Sequence, residues 1–436
     1  MDSEVIGLLG LGLMFVLIAL HVPIGVSMGL SGLVTFGLLR NFSAAVSLFG
    51  TETVGKLASA DLAIVPLFLL MGGFATAGGL SADLYRIAYA FVGHVRGGLA
   101  MATIGGCAGF GAICGSSVAT TATMTRVALG EMIKRRYAET LATGSIAAGG
   151  TLGMLIPPSI IFVLYAVLTE QFVLTLFVAA LLPAVLAVTL HAVAVRLYVL
   201  VYPEAGPAGD RTSMRDRLKI VLDGWAAIAL MVTVTGGIYA GVFSVTESAA
   251  VGAALAFVIA LARRKLSLQE FWNVLSETAA TTSMIYIIVI GASIFTYAIT
   301  LSQLPEMLVS GISHSGLSPL LIIFLLMVLY LILGSIFDTI SSMIITLPFV
   351  FPLILSLGYD PIWWGVINVM VIEIGMITPP IGMNVFVMKA MVPNVSLSTI
   401  FRGIMPFLAA DLVRLLILIL FPIIALWLPN VLDLAR

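Results

Sequence analysis

Gly375-Met376-Ile377-Thr378-Pro379-Pro380 has an earlier counterpart in Gly153-Met154-Leu155-Ile156-Pro157-Pro158. Both are Gly-Met-x-x-Pro-Pro strings inside apolar segments, and they lie 222 residues apart, about half the chain. Proline lacks the N–H that a helix needs, and its ring clashes with the preceding turn. Two in succession break a membrane helix near its middle. Broken backbone is tolerated at that depth only where it is buried in protein or lines a cavity. Breaks at matching positions of two halves are the sequence mark of a transporter's binding site.

The surrounding composition places those breaks in a bilayer. Of 436 residues, 61% are hydrophobic and 9% charged, with a mean hydropathy of +1.18. Long, almost uncharged apolar runs mean membrane helices rather than a soluble domain. A net charge of −1 argues against a nucleic-acid partner. Cys107 and Cys114 share one apolar stretch, which suggests neither a disulfide framework nor a zinc site. The acidic start, Met1-Asp2-Ser3-Glu4, lacks the basic region of a signal peptide, so residues 5–20 are expected to stay as a helix.

The predicted fold is an all-α polytopic membrane protein with an internal repeat. In the first half (1–201), 5–21 and 25–40 read as crossings and 43–60 as a surface segment. Residues 61–79 cross again, and 83–96 are amphipathic and interfacial. A re-entrant hairpin is expected over 97–128, a broken crossing over 138–169 and a further crossing over 173–197. The polar stretch 202–219 links the halves. In the second half (220–436), crossings are expected at 220–243, 247–262 and 283–300, with an amphipathic segment at 266–280. Then come a second hairpin over 317–354 with its tip near Gly334–Ser342, the second broken crossing over 362–392, and a last crossing over 404–428.

Basic residues orient this layout. With the N-terminus outside and each hairpin counted as no net crossing, 16 of the 20 Lys and Arg fall inside, among them Arg126, Lys134 and Arg263. Arg40, Lys56 and Arg436 fall outside, and Arg414 lies within a helix. That is the positive-inside pattern. Each half then makes five crossings, so the halves face opposite ways as an inverted repeat, with both termini outside.

Gly115, Ser116 and Ser117 form the first hairpin tip, and Asp338 is the repeat-mate of Ser116. Hydroxyls, carbonyls freed by helix breakage and one carboxylate are the hard oxygen ligands that an alkali cation takes. The half-helix N-termini beside Pro157-Pro158 and Pro379-Pro380 present free N–H groups that suit an anion. Against this stands a plainer reading, in which Gly and Ser only permit close helix packing. A charge at the bilayer centre costs at least about 2.5–3.5 kcal/mol, so Asp338 needs a partner or a task. Its alternative is a hydrogen-bonded cap at the hairpin turn. Glu373, at the place of Thr151, lines the cavity or joins helices, and Asn384 bonds freed backbone or a ligand. Ser244 and Glu247 have capping-box spacing. Asp411 and Arg414, three apart, pair on one helix face. His21, His94 and His314 are too scattered for a metal site.

Five strings, FGAICGSSVATTATM, AGGTLGMLIPPSIIF, GGIYAGVFSVTESAAV, FDTISSMIITLPFVFP and EIGMITPPIGMNVFV, resemble the large membrane subunit of tripartite ATP-independent periplasmic (TRAP) transporters along nearly the whole chain. The resemblance implies sodium-driven import of an organic acid across the bacterial inner membrane by an elevator mechanism. It also implies a periplasmic binding protein that delivers the acid, and a small four-helix membrane subunit. The chain starts directly before its first helix, so that small subunit is expected as a separate partner. By the same resemblance, sodium would be held by Ser116, Ser117, Gly153, Ser159, Asp338, Thr339, Gly375 and Thr378, with no transition metal. Substrate would meet Gly115, Pro157, Pro158, Pro379, Pro380 and Asn384. Cys114 stands where many relatives have serine and takes no ligand role.

Rival readings are a single-component sodium/anion symporter of similar architecture, a passive channel, and an intramembrane aspartyl protease. The last would need Asp338 and Asp360 to share a proton at close range.

Overall fold

A computed structural model describes residues 2–314 and 316–434, leaving Met1, Ser315, Ala435 and Arg436 outside; Ser313 is described by its backbone alone. Among the described residues every regular element is helical, as expected for a polytopic membrane chain. The first half runs α1 (Ser3–Ala19), α2 (Ile24–Leu39), α3 (Phe42–Leu57), α4 (Ile64–Ala77), α5 (Leu80–Val92), α6 (Gly98–Cys114) and α7 (Ser117–Met124). A π turn (Thr125–Leu129) leads into α8 (Gly130–Lys134), followed by α9 (Glu139–Leu155), α10 (Ile160–Thr169) and α11 (Val173–Val201).

The second half opens with α12 (Met214–Asp223), α13 (Trp225–Met231), a π turn (Val232–Gly236) and α14 (Gly237–Tyr239). It continues through α15 (Val245–Ala262), α16 (Leu268–Leu301), α17 (Leu304–His314), α18 (Pro319–Ile336) and α19 (Thr339–Ser356). It closes with α20 (Pro361–Gly375), α21 (Met383–Met391), α22 (Leu397–Leu420) and α23 (Ile423–Val431).

Four boundaries differ from the sequence reading. The amphipathic segment and the crossing expected at 266–280 and 283–300 are one 34-residue rod, α16. Ala279–Ser283 is polar but contains neither Gly nor Pro, so nothing stops the helix there. At 1.5 Å per residue this rod is about 51 Å long, well over the roughly 30 Å of a bilayer core. The crossing expected from 220 starts at Trp225, because the chain bends by 62° at Gly224. The link's second part is helical from Met214, and the last crossing begins at Leu397 and breaks at Phe421-Pro422.

A shift of 222 residues carries α6 onto 320–336, α9 onto 361–377 and α10 onto 382–391, so the hairpin and broken helix recur in register as α18, α20 and α21. Packing between the halves follows the same rule. Helix α2 packs on the C-terminal part of α16, and α15 packs on α4. The shift carries α2 onto α15 and α4 onto residues 286–299 of α16, so the two pairs are exchanged. Likewise α7 touches α21 and α10 touches α19. Reciprocal contacts of this kind mark a two-fold relation.

Glycines set how closely hairpin and broken helix approach. A Cβ on Gly111 would lie 2.4 Å from Gly153 Cα, and one on Gly375 would lie 2.6 Å from the Gly334 carbonyl carbon. The partner atoms are backbone and cannot step aside, so only small residues allow these crossings. Gly111→Val is therefore expected to cost about 1–3 kcal/mol by overpacking. Gly12→Ala, which meets nothing within 4 Å, is expected to be neutral. Thermal melting of the two detergent-solubilised variants checks this.

Candidate functional site

The first hairpin turns where Gly115 takes a left-handed conformation (φ 62°) at the end of α6. Any side chain there would approach the Pro158 carbonyl at 3.3 Å, so the tip lies on the break between α9 and α10. Ser116 caps α7 by accepting a hydrogen bond from the Ala119 N–H at 3.4 Å. Its carbonyl faces Gly153, at 3.0 Å from where a Cβ would stand. Pro157, Pro158 and Ser159 are all buried.

This seam is rich in oxygen. The Ser159 and Thr121 hydroxyls are buried with no hydrogen-bond partner among the described residues. Thr121 Oγ crowds Gly150, and the Thr120 hydroxyl faces Gly153. An uncompensated buried hydroxyl is costly. Two of them, with the Thr120 hydroxyl and the Ser116 and Ser117 carbonyls alongside, form the kind of oxygen set a hard cation takes. Thr120 and Thr121 were not singled out from sequence, because a threonine inside a helix ordinarily bonds its own preceding turn.

The second tip sits at Phe337-Asp338. Asp338 is half-buried and caps α19, accepting from the Ser341 N–H at 3.2 Å and from the Ser341 hydroxyl. The cap reading is thus realised, with the carboxylate still partly open. Thr339 donates to the Met376 sulfur at 2.9 Å, which joins tip and break directly. Thr378 bonds the Ile374 carbonyl at 2.6 Å, and the Gly382 N–H bonds the Ser335 carbonyl at 3.2 Å. Pro379 and Pro380, unlike Pro157 and Pro158, are exposed.

Asn384 connects the two halves. Fully buried, it donates from Nδ2 to Ser117 Oγ at 2.6 Å and to the Ala147 carbonyl at 3.3 Å. Its Oδ1 has no partner among the described residues. One side chain on α21 therefore ties the first hairpin's second arm to α9.

Two cavities border the hairpins. Between α4, α16 and the first hairpin lies a cleft of about 430 Å³ reaching Ser116. A smaller cavity of about 100 Å³ lies between α16, α19 and Leu168.

A buried charge cluster braces the far side of α20. Asp411 on α22 bonds His191 Nε2 at 2.9 Å and pairs with Arg414 at 3.1 Å. Glu373, also fully buried, has Arg414 and Asp411 as its charged neighbours and no hydrogen bond among the described residues. The pairing of Asp411 with Arg414 follows from their spacing. His191 escaped notice, although an ionisable residue inside an apolar run is itself a signal.

Asp360 caps α20, accepting from Ile362 N at 2.7 Å and Trp363 N at 3.1 Å. It and Asp338 flank opposite ends of α19, whose 18 residues span about 27 Å. No shared-proton dyad forms from these two.

Two repeats, each bringing a hairpin tip to the break of its own crossing helix, define a polytopic membrane protein built as a transporter. Comparison with known proteins narrows the class. The family described as "Tripartite ATP-independent periplasmic transporter, DctM component" matches residues 11–424, and the chain belongs to that family. It is 38% identical to the C4-dicarboxylate TRAP transporter large permease protein DctM of Pseudomonas aeruginosa, over 93% of this chain and 94% of that one. With the sialic acid TRAP transporter large permease protein SiaM of Vibrio cholerae the identity is 29%, over 96% of each. The crystal structure of the Alcanivorax borkumensis YdaH transporter shares the fold, with a TM-score of 0.62 at 15% identity over 88% of this chain and 90% of that one.

Proposed function

We propose that this chain imports an organic acid together with sodium, by an elevator movement of the part that carries both hairpins. The observation that carries this is the oxygen-lined seam between Gly115–Thr121 and the first break, tied through Ser117 and Asn384 to the second broken helix. Sodium is cargo here. Carbonyls of Ser116 and Ser117, hydroxyls of Thr121 and Ser159, and the Asp338 carboxylate are the groups that would take it up. An acid beside it would meet the half-helix starts at Pro157-Pro158 and Pro379-Pro380, with Asn384 behind. Two sodium ions moving with a monoanion carry one net positive charge, worth about 2.3 kcal/mol per 100 mV.

Relatives named for C4-dicarboxylates and sialic acid support a carboxylate substrate. The family description supports a periplasmic binding protein and a second membrane subunit as partners, in the bacterial inner membrane. The distribution of basic residues supports periplasmic termini and a first hairpin entering from the cytoplasm. In that orientation the cleft beside the first hairpin would open inward, which supports an inward-facing conformation.

The test is uptake of labelled acid into vesicles holding this chain, the small subunit and the binding protein. Uptake should require inward sodium and rise with an inside-negative potential. Asp338→Ala with Ser117→Ala should abolish it. Uptake indifferent to sodium would overturn the coupling, and uptake without the binding protein would favour a single-component symporter.

A further inference from the structure

The larger cleft carries charge that the repeat does not explain. Arg126 sits in the π turn directly after α7, on the hairpin wall of the cleft. It is exposed and makes no ion pair or hydrogen bond among the described residues. A π turn widens the helix and re-aims its side chains, and such turns recur at functional sites. Across the cleft, Glu270, Asn273, Glu277 and Thr281 follow helical spacing along one face of α16. The 222-residue shift carries Arg126 onto Pro348, while Glu270 and Glu277 correspond to Leu48 and Gly55. This placement of charge is therefore not repeated, although α3 carries Glu52, whose carboxylate accepts from the Ser293 hydroxyl on α16.

We propose that Arg126 anchors the substrate's carboxylate in this cleft, and that Glu270 and Glu277 on the facing wall keep the acid off that wall and weaken its hold. The inference rests on the acid-import reading above. A guanidinium takes a carboxylate through paired N–H groups. Placed on the hairpin wall, it lets the anion travel with the hairpin towards the cleft. Two carboxylates opposite prevent the anion from bridging to α16, and a site that must release its cargo needs such weakness. Asn273 and Thr281 offer hydrogen bonds to hydroxyl or amide groups on the acid, so the site suits carboxylates that carry polar substituents.

The test measures the half-saturating acid concentration at the cleft side, by counterflow in vesicles of the reconstituted complex. Arg126→Gln should raise it about 10- to 100-fold, the range expected when a charge-assisted bond is lost. The apparent sodium affinity should stay unchanged, and Arg126→Lys, which keeps the charge but loses the paired N–H fork, should fall between wild type and Arg126→Gln. Glu277→Gln should tighten acid binding and slow its release. An unchanged value for Arg126→Gln would overturn the proposal. So would rescue by the charge swap Arg126→Glu with Glu277→Arg, which would make the pair a latch between walls rather than an anchor. Because Arg126 is exposed, the variants should melt like the wild type. A wild-type complex that moves no acid would count against the import reading itself, whereas transport untouched by Arg126→Gln defeats only this inference.

Discussion

Asp411→Ala is expected to remove about 3–5 kcal/mol of stability, enough to cut the yield of folded protein sharply. His191 and Arg414 both turn to this one carboxylate, and all three side chains are buried. Deleting it leaves a guanidinium in the protein interior beside an imidazole that has lost its hydrogen bond. Glu373 is too poorly placed to substitute, since it makes no hydrogen bond among the described residues. Asp411→Asn should fall between, keeping a bond to His191 while losing the charge. Melting curves and size-exclusion profiles in detergent give the readout. An Asp411→Ala protein with wild-type melting would show that the cluster does not brace α20 and α22.

The second large effect is expected at the seam. Thr121→Val and Ser159→Ala preserve shape closely and delete two buried oxygens that the protein leaves unbonded. Without a cation these changes should be neutral or slightly stabilising, because an unsatisfied buried hydroxyl is a cost. With a cation they should matter greatly. A bond to a charged group contributes about 1.5–3 kcal/mol, so each lost ligand should raise the sodium concentration for half-maximal uptake about 10- to 100-fold. The combination of unimpaired melting and impaired sodium dependence separates a ligand role from a packing role. Loss of stability with unchanged sodium dependence would assign both residues to packing.

The sequence and the structure agree most where covalent chemistry leaves the backbone no choice. Paired prolines cannot continue a helix, so both breaks were visible at Pro157-Pro158 and Pro379-Pro380 before any coordinates. Glycine at 115 and an acceptor at 338 announced the hairpin turns for the same kind of reason. Less was legible where helix simply continues. The rod α16 reads in sequence as an amphipathic segment and a separate crossing, yet a stretch without Gly or Pro does not end a helix. Thr120 and Thr121 passed unnoticed inside a helical run, since their role depends on α9 lying against them. His191 was hidden among apolar neighbours, and its partner Asp411 is 220 positions away. The cleft beside the first hairpin lay outside any reading by repeat, because a symmetric pattern cannot reveal which side is open.

Equilibrium binding of labelled sodium to the purified protein bears most directly on the central claim, that tips and breaks together hold the cation. The wild type should bind sodium saturably, with Thr121→Val and Ser159→Ala weakening it and Asp338→Ala removing part of the capacity. Saturable binding that none of these three changes affects would place the cation elsewhere and contradict the site described here.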